Sequence, residues 1–587
     1  MAYQRLKISL FSQKNEVLFR TYNGNTWTAD EISFLPTELS LGSNCSNSVC
    51  SPSCSCLIEL QKSTDDSNRA GKGRQELSKM SAPFQAGVAV HHRCGLHPPS
   101  PAALEQKLVV SGGVALSGHV RISGAKNSAL PILAATLCCD DASAISRVPD
   151  LLDTRSMAAV LRSLGARVEW PEGADGGELV VDASAAGAGP PCSNELGKTR
   201  AGFLVIGPLL GRFGEAEVGL PGGCNIGARP VDLYLRGLRA LGAVVEMKQD
   251  KVVAYAAKGK RLTGGTFYLN YPSVGATETL MMAASLADGV TVLLNAAKAM
   301  LIRFSFFLHF SLSNQLHGFY LTTNQMVFTC SLLILTTLQE PEVSDLAEFL
   351  TACGARVHGA GTSIVTIKGV SKLHGTEFTI IPDRIEAGTF MVAASITCSK
   401  LSMSPVIPRH LTSVIDKLSA SGCTITQTGR CSLEVSALKS RHSAGLRGFD
   451  FKTCPYPGFP TDLQPQFMAL LCTCNGSSLV EESVFESRMT HVEELKKLGA
   501  KIHVCSRHVL VNGKDRGSLL FGAPVMAHDI RGGAALVLAG MAAEGTTEVL
   551  GAQHIERGYE NFVAKLNSLG ASIRRNQDAQ LTLSSIM

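Results

Sequence analysis

Six times along the chain, an apolar helix-like run ends at a glycine and gives way to alternating apolar and polar positions. The copies are Leu164-Gly165-Ala166-Arg167-Val168, Leu241-Gly242-Ala243-Val244-Val245 and Cys353-Gly354-Ala355-Arg356-Val357, then Ser421-Gly422-Cys423-Thr424-Ile425, Leu498-Gly499-Ala500-Lys501-Ile502 and Leu569-Gly570-Ala571-Ser572-Ile573. The glycine supplies the left-handed residue with which many helices close. The period-two alternation after it predicts a strand. Upstream of each copy lie an apolar helix, a second strand and a loop. Such self-similarity predicts repeated supersecondary units rather than one continuous sheet.

The glycines fall at intervals of 77, 112, 68, 77 and 71 residues, so one interval is too long. Removing residues 299–339 brings it to 71. That segment carries one formal charge, Arg303, among many Phe, Leu, Ser and Thr residues. Its longest apolar run, Met326 to Leu338, is shorter than the roughly 20 residues a membrane helix needs, so no membrane insertion is expected. The segment reads as an apolar insert foreign to the repeat, such as a retained intron or gene-model error.

At 587 residues the chain exceeds one ordinary core, and 45% hydrophobic against 18% charged residues describes a well-buried globular protein. The net charge of +5 is small, and no basic run alternates with aromatics, which argues against a nucleic-acid partner. The 18 cysteines are scattered, many in apolar runs such as Leu137-Cys138-Cys139, which suits reduced thiols. Cys45, Cys50, Cys54 and Cys56 match no familiar zinc spacing. Residues 1–104 are rich in Ser, Asn, Gly and Pro. They are expected to be a largely disordered N-terminal extension, with a targeting segment or a mispredicted start as its two readings.

The densest candidate chemistry is Pro221-Gly222-Gly223-Cys224-Asn225-Ile226-Gly227-Ala228-Arg229-Pro230. Glycines permit close ligand approach. A thiol near a fixed cation acts as acid or nucleophile, and a guanidinium suits phosphate or carboxylate. A tight turn with a structural cysteine fits the same residues. Lys126 and Asn127 immediately precede a helix expected over Ser128 to Cys138, and a helix start is a poor place for a lysine unless an anion sits there. Asp462 precedes another apolar helix, where it reads as an N-cap or a general base. Ser273, Val274 and Gly275 form a small-residue turn with backbone NH groups to offer. Arg200, Arg229, Arg531 and Arg557 read singly as surface arginines and together as a cationic pocket.

Nine segments in order carry a resemblance. They are Ile122-Ser123-Gly124-Ala125-Lys126-Asn127, Lys198-Thr199-Arg200, the cysteine loop, Pro272-Ser273-Val274-Gly275-Ala276-Thr277, Pro382-Asp383-Arg384-Ile385-Glu386, Phe459-Pro460-Thr461-Asp462-Leu463-Gln464, Glu486-Ser487-Arg488, Asp529-Ile530-Arg531 and Glu556-Arg557-Gly558-Tyr559-Glu560. Over residues 107–576 the chain resembles the UDP-N-acetylglucosamine enolpyruvyl transferases, the family of the first committed step of peptidoglycan synthesis. The resemblance implies a two-domain, inside-out α/β barrel of six βαβαββ-like repeats, with the active site in the interdomain cleft. It divides the chain into 107–125 plus 382–587 as one domain and 126–381 as the other.

The resemblance also implies roles. Cys224, Asp462, Lys126 and Arg557 become catalytic, with Cys224 the proton donor or a group needed for product release and Asp462 the base on the sugar hydroxyl. Lys126, Arg229 and Arg531 would grip phosphoenolpyruvate, assisted by Arg557, and Asn127 would position substrate. Arg200, Pro230, Val231, Asp232, Leu233, Ser273, Val274, Gly275 and Val484 would line the UDP-N-acetylglucosamine site, with Arg488 close by. No metal or redox cofactor is needed for such chemistry. The compartment would be the cytoplasm, or the plastid stroma if the extension is a transit peptide. The rival readings are a shikimate-pathway enolpyruvyl transferase and an inactive binding relative disabled by the insert. Tyr271 and Pro272 stand where some relatives carry a lysine before Ser273.

Overall fold

The computed structural model describes residues 9–13, 16–20, 26–28, 107–170, 178–191, 200–222, 231–249, 251–257, 261–297, 340–438 and 445–576. The chain divides into two units, Met1–Val90 and His91–Met587. In the first, Ser9–Gln13, Glu16–Arg20 and Thr26–Thr28 form an antiparallel meander. The rest of the extension, expected to be largely disordered, lies outside the described residues. Short β-prone runs such as Val17-Leu18-Phe19 can pair locally without any long-range pattern.

In the second unit all six repeat glycines adopt positive φ, between 86° and 107° at Gly165, Gly242, Gly354, Gly422, Gly499 and Gly570. Strands follow each, from Arg167–Glu169 to Ser572–Arg575. The repeat reads most completely in the third unit. Thr266–Tyr268 pairs parallel with Val290–Leu294, which pairs antiparallel with Ile364–Lys368, which takes Arg356–His358 on its far edge. Helices Val274–Ser285 and Pro341–Ala352 complete a βαβαββ order. Six separate sheets result, five with four strands and one with three among the described residues. The sheets do not join into a closed barrel.

Each repeat contributes one helix that is apolar on nearly every side, and such helices must lie inside. In chain order these are α1 (Lys126–Ala135), α2 (Ile206–Phe213), α3 (Val274–Ser285), α4 (Arg384–Ile396), α5 (Gln464–Leu471) and α6 (Ile530–Ala542). The expected Ser128–Cys138 helix starts two residues earlier, and its last turn, Thr136–Cys138, is a 3-10 helix. Helices α1–α3 anchor one apolar core, drawn from residues 125–380. The other three anchor a second, drawn from residues 108–122 and 385–573. At roughly 1.5–3 kcal/mol per fully buried large aliphatic side chain, burial dominates the stability of both.

The first strands belong to the second core although they precede the first. Lys107–Ser111 sits between Thr546–Leu550 and Ser572–Arg575, and Ser117–Arg121 pairs parallel with Lys400–Ser404. The chain therefore crosses between cores twice, side by side. Ala125 N–H donates to the Ile381 carbonyl at 2.8 Å, and Asp383 N–H to the Ser123 carbonyl at 2.9 Å. The Asp383 carboxylate accepts from the Lys126 amide at 3.1 Å and caps α4 through Ile385 and Glu386. These crossings place Lys126 against the second core.

Residues 299–339 lie outside the described residues. The chain on either side of them returns to one turn: Ala296 N–H meets the Ser363 carbonyl at 3.2 Å, and Glu340 N–H meets the Gly361 carbonyl at 3.4 Å. Among the described residues, no helix is long and apolar enough to cross a membrane.

Candidate active site

Lys126 is the first residue of α1 and is only 8% exposed. Its Nζ donates to Asp153 Oδ2 at 3.1 Å, while Arg557 Nε donates to Asp153 Oδ1 at 3.0 Å. Asp153 lies in the first turn of helix Leu152–Ser163, beside the first core, and Arg557 follows helix Gln553–Glu556 of the second. One carboxylate thus bridges the two halves. Burial lowers the Lys126 pKa, with the Asp153 charge opposing it. Burial alone would raise the Asp153 carboxyl, but Lys126 and Arg557 outweigh it and hold the group below its ordinary value.

Asp462 sits in a 3-10 turn, Thr461–Leu463, just before α5. It makes no N-cap hydrogen bond, which corrects the capping alternative. Asp383 and Asp529 are the carboxylates that cap the starts of α4 and α6. Asp462 Oδ1 instead meets Arg488 Nη1 at 2.7 Å, and Oδ2 accepts from Arg531 Nη2 at 3.2 Å. Burial opposes ionisation here, yet Arg488 and Arg531 hold the carboxyl well below the usual carboxylate range. Glu482 supports the turn, accepting from Thr461 Oγ1 at 2.9 Å and from the Val484 and Phe485 amides at 2.9 and 3.1 Å.

The two groups act on each other: Arg531 and Asp462 both influence the Lys126 charge. Four cations, Lys126, Arg488, Arg531 and Arg557, are therefore gathered around two carboxylates. Arg531 is 2% exposed, yet its Nη1 has no partner among the described residues, and neither does Arg488 Nε. Buried guanidinium N–H groups left open are costly unless an anion fills them.

A second group surrounds the start of α3. Ser273 caps it, its Oγ accepting from the Ala276 amide at 3.4 Å, so the small-residue turn is a helix N-terminus. The first-turn amides of Val274 and Gly275 have no intrahelical acceptors, which suits an anionic ligand. A Cβ at Gly275 would fall 2.1 Å from the Tyr234 hydroxyl, so a side chain there would have to displace that ring. Tyr234 belongs to helix Asp232–Ala240, which opens at Asp232 and Leu233 directly after Val231. Arg200 begins a 3-10 helix, Arg200–Val205. Asn127 is the second residue of α1, and Val484 is held beside Asp462 through Glu482. Cys224, Arg229 and Pro230 lie outside the described residues.

Asp153, Glu482 and Tyr559 escaped the sequence reading as site residues. Asp153 looks like an ordinary acid in a helix first turn, where it complements the macrodipole. Tyr559 stood inside a quoted motif, and its position beneath Arg531, 4.9 Å from ring centroid to guanidinium carbon, has no sequence signal.

A family model described as EPSP synthase (3-phosphoshikimate 1-carboxyvinyltransferase) matches residues 110–306 and 320–566. A UDP-N-acetylglucosamine 1-carboxyvinyltransferase of Gloeobacter violaceus is 45% identical over 479 residues, 81% of this chain and 92% of that protein. One from Synechocystis is 44% identical, over 81% of this chain and 97% of its own. Among solved structures, the enolpyruvyl transferase NikO from Streptomyces tendae superposes with a TM-score of 0.66 at 25% identity, covering 80% of this chain and 99% of that one. EPSP synthase from Acinetobacter baumannii, at 17% identity and a TM-score of 0.56, shares the fold. With four cations converging on two carboxylates between its cores, this chain belongs to the UDP-N-acetylglucosamine 1-carboxyvinyltransferase family of enolpyruvyl transferases.

Proposed function

We propose that the chain transfers the enolpyruvyl group of phosphoenolpyruvate to the 3-hydroxyl of UDP-N-acetylglucosamine and releases phosphate. The observation that carries this reading is the excess of buried cations, with open guanidinium N–H groups at Arg488 and Arg531. Phosphoenolpyruvate bears a phosphate and a carboxylate, and Lys126, Arg531, Arg557 and Arg229 offer donors for both. The relatives that share 44–45% of their residues over most of their length favour the UDP-sugar acceptor over shikimate 3-phosphate.

In the proposed reaction Asp462 accepts a hydrogen bond from the sugar hydroxyl as it attacks C2, while C3 is protonated, with Cys224 as the donor. Loss of phosphate from C2 together with a proton from C3 of the tetrahedral ketal restores the double bond and gives the enol ether. Asp462 is a weak base while both arginines hold it. A bound anion that draws Arg531 away would raise its basicity toward the useful range. Asn127 would orient substrate, and Arg488 would hold Asp462. Arg200, Pro230, Val231, Asp232, Leu233, Ser273, Val274, Gly275 and Val484 would line the UDP-sugar site. The two cores would be the two domains, with the second assembled from 107–125 and 382–587.

Phosphate release measured with each acceptor tests the reading. Release with UDP-N-acetylglucosamine and none with shikimate 3-phosphate supports it; the reverse pattern overturns it. The epoxide fosfomycin should modify Cys224, and Cys224→Asp should resist it while keeping turnover, since a carboxylic acid also donates a proton. Peptide mapping that found the drug on other cysteines would remove that role. The N-terminal extension is proposed as a plastid address, which import of a fluorescent fusion would test.

A further inference from the structure

Beneath Arg531 lies a polar chain that the reaction scheme leaves without a task. Thr389 Oγ1, on α4, donates to the Ile385 carbonyl at 2.8 Å, which commits its proton. The Tyr559 hydroxyl, 2.9 Å from the same oxygen, must therefore donate to it. Gln466 Nε2, on α5, donates in turn to the Tyr559 oxygen at 2.9 Å and to the Asp462 carbonyl at 3.1 Å. A flipped amide would set its oxygen against the Asp462 carbonyl, so this direction is the consistent one. The chain runs Gln466 to Tyr559 to Thr389, and all three side chains are buried. It ties α4 and α5 to the loop that follows Arg557, directly under the Arg531 guanidinium of α6.

The ring of Tyr559 needs such an anchor. It packs on Phe562 at 4.8 Å between centroids, and it also lines a cavity of 230 Å³ shared with Leu108, Leu152 and Ile555. A side chain that borders a half-open cleft is less completely packed on that side than one enclosed by the core. Gly558 brings the loop in: a Cβ there would fall 2.3 Å from Ile530 Cγ2 at the start of α6. Contact with the helix start sets the height of the ring, and the hydroxyl sets its rotation.

We infer that Tyr559 is a positioning residue, whose ring is the platform for Arg531 and whose hydroxyl, through Gln466 and Thr389, keeps Arg531 and Asp462 in mutual register. Two reacting partners, the anion on Arg531 and the hydroxyl on Asp462, then approach at one geometry. Misplacement by an ångström is enough to slow such a step. The inference rests on the enolpyruvyl transfer proposed above.

Three variants of the full chain test it: Tyr559→Phe, Thr389→Val and Tyr559→Leu. Tyr559→Phe removes the hydroxyl's bonds with Thr389 and Gln466. Thr389→Val removes the acceptor for Tyr559 together with the Thr389 bonds to Ile385 and Gln466, and both variants keep the ring. Each should lower kcat about 3- to 10-fold. Tyr559→Leu removes the platform as well and should lower kcat/KM for phosphoenolpyruvate about 30-fold or more. The KM for UDP-N-acetylglucosamine should stay within about twofold in all three, as expected of a contact that serves only one substrate. Calorimetric binding of phosphoenolpyruvate should weaken most in Tyr559→Leu. A merely structural role would lower the melting temperature while leaving kcat per folded site and both KM values unchanged, and that result overturns the inference. Wild-type constants in Tyr559→Phe and Thr389→Val overturn it too. If the wild type binds phosphoenolpyruvate but never turns over, the proposed function fails. The binding series then decides the inference alone: equal affinity in Tyr559→Leu overturns it, and weakened affinity supports it.

Discussion

The third and fifth repeats build the same sheet from very different lengths of chain. In the fifth, Phe451–Lys452 pairs parallel with Ser477–Glu481, followed antiparallel by His508–Asn512 and Lys501–Cys505. In the third, the equivalent order is complete as well. Between the second strand and the second helix, the fifth repeat uses residues 482–489 and the third uses 295–340. The short link shapes the candidate site: Glu482, Val484 and Arg488 hold the Asp462 turn. The long link leaves and re-enters at the single turn Gly361–Ser363. A repeat tolerates added chain where its ends already meet, because lengthening a closed loop costs little, about 0.6 kcal/mol per doubling. It does not tolerate change where the link itself supplies the site.

The largest effect should come from the one place where the third repeat has no slack. Arg384, at the chain crossing, holds Glu340 at 3.2 Å and Glu342 at 2.9 Å, all nearly buried. Arg384→Met leaves two buried carboxylates facing each other and should cost about 3–5 kcal/mol in urea unfolding. A loss under 1 kcal/mol would mean that the helix start beyond the insert is loosely held. On the fifth-repeat side, Asp462→Asn should cut turnover by about 10²-fold or more with UDP-N-acetylglucosamine binding near normal. Because Arg488 and Arg531 hold the Asp462 carboxyl well below the usual carboxylate range in the free protein, it should give no acid limb to the kcat/KM profile above about pH 4. Near-normal turnover would reduce Asp462 to a structural ion-pair partner.

Asp345 sharpens the comparison from the other side. It lies on the helix just after the insert, is 2% exposed, and accepts from the Ile381 amide at 3.4 Å. Burial raises its pKa to about 7. The folded state then holds a proton that the unfolded chain releases near pH 4, so this contribution is full below that pH and fades as pH rises through 7. Stability should fall on the order of a few kcal/mol between pH 4 and 8. Asp345→Asn should flatten that slope in denaturant titrations, and an unchanged slope would assign it to another group. The smallest effect should follow deletion of Ala299–Gln339. Soluble yield and activity should rise modestly, as an apolar, nearly uncharged stretch is removed. Equal or lower activity would mark the segment as native and accommodated.

The fold was legible because it repeats. Six glycines at helix ends announced six strands, and each took the left-handed geometry its position demands. The meander at Ser9–Thr28 was not legible, since three strands of five residues or fewer carry no period long enough to read. Within the site, Lys126 stood out as a cation at a helix start, where the macrodipole disfavours it, and Arg531 only as one of a set of arginines. Asp153 did not, for an acid in a helix first turn is the ordinary case. Asp462 read equally as cap or base; only its distance to two arginines separates these, and that distance joins residues 26 and 69 positions apart. The Tyr559 platform depends on three helices meeting, which no local pattern encodes.

The central claim is that the two cores, insert included, hold a working enolpyruvyl transfer site. The most direct measurement is phosphate release from phosphoenolpyruvate and UDP-N-acetylglucosamine, run in parallel on the full chain and on the chain lacking residues 299–339. The account predicts acceptor-dependent phosphate release, with the shortened chain modestly more active and Asp462→Asn nearly silent in both backgrounds. Folded protein of both lengths that binds phosphoenolpyruvate yet releases no phosphate would contradict it.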